Sequence, residues 1–453
     1  MKVQLTRFTT TIAVAAALGA TAVPALALEN EFHGMFRVRG IVSNLDDYRS
    51  AFFDATDGSG TAKPLGNPGT RSYIEQRARL LYIAKANDDL KLHTHFEVDS
   101  RWGDSSYAVG RNQGGAIGAD SVNLETKNVY LDFNIPSTPL NVKVGIQPFA
   151  DSLKGIFVNA DAAGALATAR FASGEAAAGY FRFDDKIPAG STSPGRATRD
   201  FFVLDGKYSL SKEVRVGASY YGVLDDRSAG FKNQIHTIGV NAETKVGPAV
   251  IDGFFAYQTG EVGSAEQDLR AFAGNVGTKV KTGIGTARAN FLYVSGDGSP
   301  GSGSTRNDFQ TIGSPGTENN FFAAETLLLL PHKTSINTYR GIIWDLNNRS
   351  QGVIGGFIGY DANLTDKLFA SATAGFAATA RNNANKPAGS SNSRYLGTEL
   401  SGEIGYKLYP NLTASVQGGY VFLGDYFKGT AVDEPGKDPA EPYTARVVLS
   451  FLF

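Results

Sequence analysis

The last eleven residues, 443–453, alternate without interruption: Tyr443, Ala445, Val447, Leu449, Phe451 and Phe453 fall on one face of an extended chain, and Thr444, Arg446, Val448, Ser450 and Leu452 on the other. Side chains of a strand point to opposite faces with period two, so this segment predicts a strand with an apolar face and a mixed one, as a wall between lipid and water requires. The same period recurs along the chain. No apolar run approaches the length of a membrane-crossing helix; the densest, 327–330, is four leucines. If the chain crosses a membrane it does so with strands, and strands in lipid must close into a barrel to satisfy their backbone groups.

Sixteen segments read clearly as strands, among them 31–43, 73–85, 90–101, 129–133, 140–147, 397–408, 412–423 and 443–453. Two further hairpins, around 167–183 and 322–344, would raise the count to eighteen or twenty. The expected fold is all-β, a transmembrane antiparallel barrel of about 18 strands (16 to 20). Connections alternate in length. Tight turns at 87–89, 136–139, 211–212, 246–248, 363–366 and 410–411 alternate with long Gly/Ser/Asn/Asp-rich loops such as 44–71, 103–120, 296–320, 381–394 and 424–442. Short periplasmic turns and long extracellular loops produce this asymmetry.

The other end of the chain predicts export. Lys2 and Arg7, the apolar run 12–20 and the small-x-small pattern Ala25-Leu26-Ala27 form a signal peptide over 1–27, leaving 28–453 as a single barrel domain. Removing Lys2 and Arg7 leaves 41 basic residues against 44 acidic, a net charge of −3, which argues against a nucleic-acid partner. The chain has no cysteine, hence no thiolate metal site and no covalent haem attachment of its own.

The interior follows from the alternation. Around 397–408, Thr398, Leu400, Ile404, Tyr406 and Leu408 are expected to face lipid and Glu399, Ser401, Glu403 and Lys407 the interior. Unpaired ions cannot line a dry core at a cost of several kcal/mol each, so the lumen is expected to hold water. Arg37 and Arg39, Arg77 and Arg79, and Lys91, His93, His95, Glu97, Asp99 and Arg101 turn inward on three consecutive strands as a basic ladder. Two readings fit it: a strip that attracts anions, or a solvated wall paired with lumenal acids. His93 and His95 have a spacing that a metal could use, but no third histidine is apparent and pore lining is the expected role, with no metal site and no cofactor. The Gly-rich segment 296–301 matches a dinucleotide fingerprint but runs into a loop where a helix is needed. No nucleophile elbow or zinc-protease helix is present, so no enzyme is expected.

The segments Glu31-Phe32-His33-Gly34-Met35-Phe36-Arg37-Val38-Arg39-Gly40, Asn128-Val129-Tyr130-Leu131-Asp132-Phe133 and Val142-Lys143-Val144-Gly145-Ile146-Gln147-Pro148-Phe149, with the closing strand, resemble Gram-negative outer-membrane porins, closest to the abundant porins of metal-reducing deltaproteobacteria. The resemblance implies a water-filled outer-membrane channel for passive diffusion of small hydrophilic solutes and ions. It further implies a homotrimer among outer-membrane lipid and lipopolysaccharide, and a closing strand whose Tyr443, Phe451 and Phe453 are read by the barrel-assembly machinery. Porins narrow their pore with a loop after the fifth strand. Here 150–166 occupies that place, with Asp151, Lys154 and Asp161 as candidates, although an exposed loop or a strand hairpin fits the same residues. A different class of function is a barrel conduit or docking partner for multihaem cytochromes.

Overall fold

The computed structural model describes residues 28–45, 66–105, 114–118, 124–185, 197–227, 233–263, 265–312, 321, 324–331, 341–343, 345–386, 391–431 and 433–453, and the backbone of a two-residue strand pair, Phe53–Asp54 with Lys63–Pro64. The segment 1–27 read as an export signal lies outside them.

Eighteen strands form the barrel. They are β1 (Glu29–Ser43), β2 (Arg71–Asn87), β3 (Leu90–Arg101), β4 (Leu124–Asn134), β5 (Leu140–Ala150) and β6 (Asn159–Phe171). Next come β7 (Gly174–Asp185), β8 (Thr198–Ser209), β9 (Val214–Asp225), β10 (Asn233–Val246), β11 (Ala249–Val262) and β12 (Gln267–Lys281). The last six are β13 (Gly285–Val294), β14 (Val353–Asn363), β15 (Leu368–Ala378), β16 (Tyr395–Tyr409), β17 (Leu412–Leu423) and β18 (Tyr443–Leu452). Each pairs antiparallel with its neighbours in sequence, and β18 pairs with β1, so the sheet closes. Closure removes the edges whose unpaired backbone groups lipid could not satisfy. The short pair Thr305–Arg306 adds in parallel to β12.

The expected hairpin at 167–183 forms as β6 and β7, giving eighteen strands. The second expected hairpin, around 322–344, does not form among its described residues; Thr326 to Pro331 instead makes a tight, buried curl. At one end the connections are turns of two to five residues; at the other most are longer, up to 295–352 between β13 and β14, with the four-residue link 263–266 between β11 and β12 the exception.

The outward face is apolar along the wall: Val276 is 63 % exposed, Val447 62 % and Ile358 61 %. On a barrel such a belt needs lipid against it. Closure uses a notch at Gly34. The backbone of Phe453 exchanges hydrogen bonds with Gly34 at 2.8 and 3.1 Å. A Cβ on Gly34 would lie 2.5 Å from the Phe453 ring, so only glycine leaves room for the terminal aromatic.

The interior is not uniformly wet. Inward residues of β7 to β17, including Phe181, Phe201, Tyr221, Ala256, Leu292, Phe357 and Val421, are buried under two inward-folded segments, 151–158 and the described parts of 295–352. These supply Leu153, Ile156 and Phe157, and Phe309, Leu328, Leu329 and Ile343. The aqueous lumen expected from the charged alternation is therefore confined by an apolar filling on one side. Covering is what allows apolar residues on the inner face of the wall.

Candidate functional site

The charged wall is built by β1, β2 and β3, whose register sets Arg37 opposite Arg77 and Arg77 opposite Asp99, Arg39 opposite Glu75, and Arg79 opposite Glu97. Arg77 holds Asp99 with two hydrogen bonds, 2.7 and 2.6 Å, and lies 3.3 Å from Glu97. Arg39 donates to Glu75 at 2.7 Å, and Arg79 pairs with Glu97. Arg101 stacks its guanidinium 4.5 Å from the centre of the Tyr73 ring. The ladder is thus a lattice of five arginines against three carboxylates, and Glu75 is the acid that sequence reasoning left out. Most of the ladder's charge is engaged in such pairs, and Glu125 lies opposite Glu97 on the next strand. Arg37 makes no ion pair among the described residues; it is buried, and its Nη2 has no hydrogen-bond partner.

Toward the turn end the wall becomes aromatic and mixed. His93 stacks on Tyr130 with ring centres 4.7 Å apart and lies 3.8 Å from Asp132, while His95 Nδ1 meets Asn128 Oδ1 at 3.3 Å. The two histidines have separate partners, and no metal-holding cluster is found among the described residues. Lys91 is half-buried opposite Lys85.

The segment after the fifth strand does fold inward, but over 151–158 only. Asp151 is its organiser. Its carboxylate accepts the backbone N–H of Leu153 (2.8 Å), Gly155 (3.0 Å), Phe157 (2.7 Å) and Val158 (2.7 Å). Burial pushes this carboxyl up to about 6, against the pull of the four N–H groups. Lys154 reaches across to Asn275 (2.5 Å) and Asp252 (2.9 Å). Asp161 is not in the loop: it lies on β6, pairs with Lys127 at 2.9 Å and accepts from Asn128 at 2.8 Å. The alanine and glycine run around it carries no polarity alternation, which is why the strand was hidden in sequence.

The larger inward segment, 295–352, meets the smaller one: Ile312 N–H donates to the Phe157 carbonyl at 3.0 Å, and the Phe157 and Phe309 rings are 6.3 Å apart. Glu399 anchors it. This residue faces inward as expected but touches no water, since its carboxylate accepts the N–H groups of Leu327 (2.7 Å), Leu328 (2.9 Å) and Leu329 (2.6 Å). Glu403 is half-buried on the same strand. The one sequence hint of this anchor was four consecutive leucines inside a polar loop. At the root, Asp308 binds Arg306 (2.5 Å), Gln310 (2.9 Å) and Asn347 (2.7 Å). Burial works against that carboxylate, but Arg306, Asn347 and Ser350 hold it below the usual range.

The closed eighteen-stranded antiparallel barrel matches solved structures. The fold is that of the outer-membrane porins. A BenF-like porin from Pseudomonas fluorescens superposes with a TM-score of 0.53 at 12 % identity, over 94 % of this chain and 98 % of that one, and OccK2 (OpdF) of Pseudomonas aeruginosa with 0.56 at 13 % identity, over 94 % and 98 %. The outer membrane protein opdK of the same organism gives 0.55 at 11 % identity, over 94 % and 98 %. For OccK2 in complex with glucuronate the TM-score is 0.53 at 13 % identity, over 94 % and 96 %. No protein-family model and no curated protein sequence matches this chain.

Proposed function

We propose that the chain is a passive outer-membrane channel for small hydrophilic solutes, with anions such as small carboxylates favoured at the β1 to β3 wall. The observation that carries this is Arg37, buried on that wall among Arg39, Arg77 and Arg79, with its terminal Nη2 lacking a hydrogen-bond partner. A guanidinium keeps its charge and matches carboxylate geometry, and fixed positive charge in a confined path concentrates anions. The porin-fold neighbour solved with glucuronate supports the choice of ligand class.

Export by the signal over 1–27, insertion by the barrel-assembly machinery, a homotrimer and contact with lipopolysaccharide belong to the same proposal. So does the narrower resemblance to deltaproteobacterial porins, which rests on residues of β1, β4, β5 and β18. No observation favours the cytochrome conduit. Liposome swelling tests the reading. Vesicles carrying the folded barrel should admit glucuronate faster than glucose, and Arg37→Gln should narrow the difference. Equal rates in the unaltered protein would remove the anion preference, and no solute entry would remove the channel.

A further inference from the structure

A recess of about 40 Å³ lies on the inner wall where β13, β15, β16 and β17 meet the inward segment 295–352. It is lined by Arg288, Ser371, Thr373, Ser401, Glu403 and Gln417 of the wall, together with Glu325 of the segment. Register explains the grouping: Ser371 pairs opposite Glu403, Glu403 opposite Gln417, and Thr373 opposite Ser401.

The chemistry of the lining is unbalanced. Arg288 is already engaged, donating to Asp361 at 3.1 Å and to Thr373 at 2.8 Å. Gln417 is only 6 % exposed, yet its Oε1 has no hydrogen-bond partner. Glu403 makes no ion pair among the described residues. A buried amide oxygen without a donor is costly, and a carboxylate beside it adds negative charge. What fits is a compact group carrying several N–H donors and a positive charge.

We propose that this recess is a cation subsite for an ammonium group, either the free ion or the –NH3+ of a small amine. The inference rests on the reading of the lumen as a solute path, but the binding itself does not require conduction. The recess has room for ammonium or a single –NH3+ head, and a quaternary ammonium lacks the N–H donors that the lining calls for.

Titration of the detergent-solubilised, folded barrel with 15N-ammonium chloride, followed by line broadening of the ammonium resonance, tests the site directly. The unaltered protein should broaden the signal, methylammonium should compete, and tetramethylammonium should not. Glu403→Gln and Gln417→Leu, each checked for heat-modifiable migration, should each weaken binding by about tenfold or more. Broadening that persists in both variants, or that tetramethylammonium abolishes equally, would overturn the proposal. In planar bilayers free ammonium should also be favoured over potassium. A barrel that binds ammonium but passes no current would keep the subsite and refute the channel, whereas one that conducts without binding would do the reverse.

Discussion

At the scale of single residues, two acids hold the inward segments by gathering backbone N–H groups, Asp151 for 151–158 and Glu399 for 295–352. Each replaces water for donors that would otherwise be buried unpaired. Glu399→Ala should therefore destabilise the 327–330 curl by about 3 kcal/mol or more, read as lost hydrogen-exchange protection at the amides of Leu327, Leu328 and Leu329. Unchanged protection would contradict the anchoring role. Lysine at 399, which simple alternation marks as harmless, should be as damaging as alanine, because it puts a cation where three donors converge. The pH response separates the two segments. Asp308 is held below the usual carboxylate range, so its contribution is complete above that range and is lost as pH falls through its lowered value. Asp151 is pushed up to about 6, so its folded state takes a proton earlier than the unfolded chain, and acidification through that window favours the folded arrangement. Amide protection at Phe157 should hold or rise between pH 7 and 5, while protection at Phe309 and Ile312 should fail only in stronger acid. Joint loss near pH 6 would show that the signs are reversed.

At the scale of strands, the alternation decides orientation. Leu400 (51 % exposed) and Ile404 (52 %) face outward, whereas Glu399 is fully buried. Lysine at Leu400 should cost roughly 2 to 4 kcal/mol if it sits near the bilayer midplane. In this cysteine-free chain, single cysteines at 400 and 404 should resist a water-soluble thiol reagent in liposomes, and one at 403 should react; the opposite pattern would reverse the register. The last strand depends on the Gly34 notch, so Gly34→Val should lower the heat-modifiable folded fraction as much as deleting Phe453 does. A valine variant that folds at normal levels would separate the notch from closure. Strands were legible because each residue reports which solvent it meets, and β18 or β16 does so without ambiguity. β6 and β7 were harder, since alanines such as Ala165, Ala167 and Ala178 meet lipid without announcing it. The inward apolar residues of β8, Phe201 and Val203, were harder still: a face that is apolar only because a distant loop covers it gives no local signal.

At the scale of the whole molecule, the barrel has two unlike inner sides, an arginine lattice on β1 to β3 and an apolar filling supplied by 151–158 and 295–352. The lattice was visible in sequence as inward arginines, but its pairing with Glu75 was not, because cross-strand register is a property of the closed sheet. Replacing 299–349 with a short Gly/Ser linker should widen the path and raise single-channel conductance, and an unchanged conductance would place the restriction elsewhere. The proposed function is that of a water-filled path on which Arg37 and its neighbouring arginines favour anions. Reconstitution into a planar bilayer across a salt gradient measures both parts at once. Discrete conductance steps are expected, with a reversal potential on the anion-selective side at low salt, reduced by Arg37→Gln and weakened at high ionic strength as screening shortens the field. A folded barrel with no conductance steps, or one whose reversal potential lies on the cation-selective side at low salt, would contradict it.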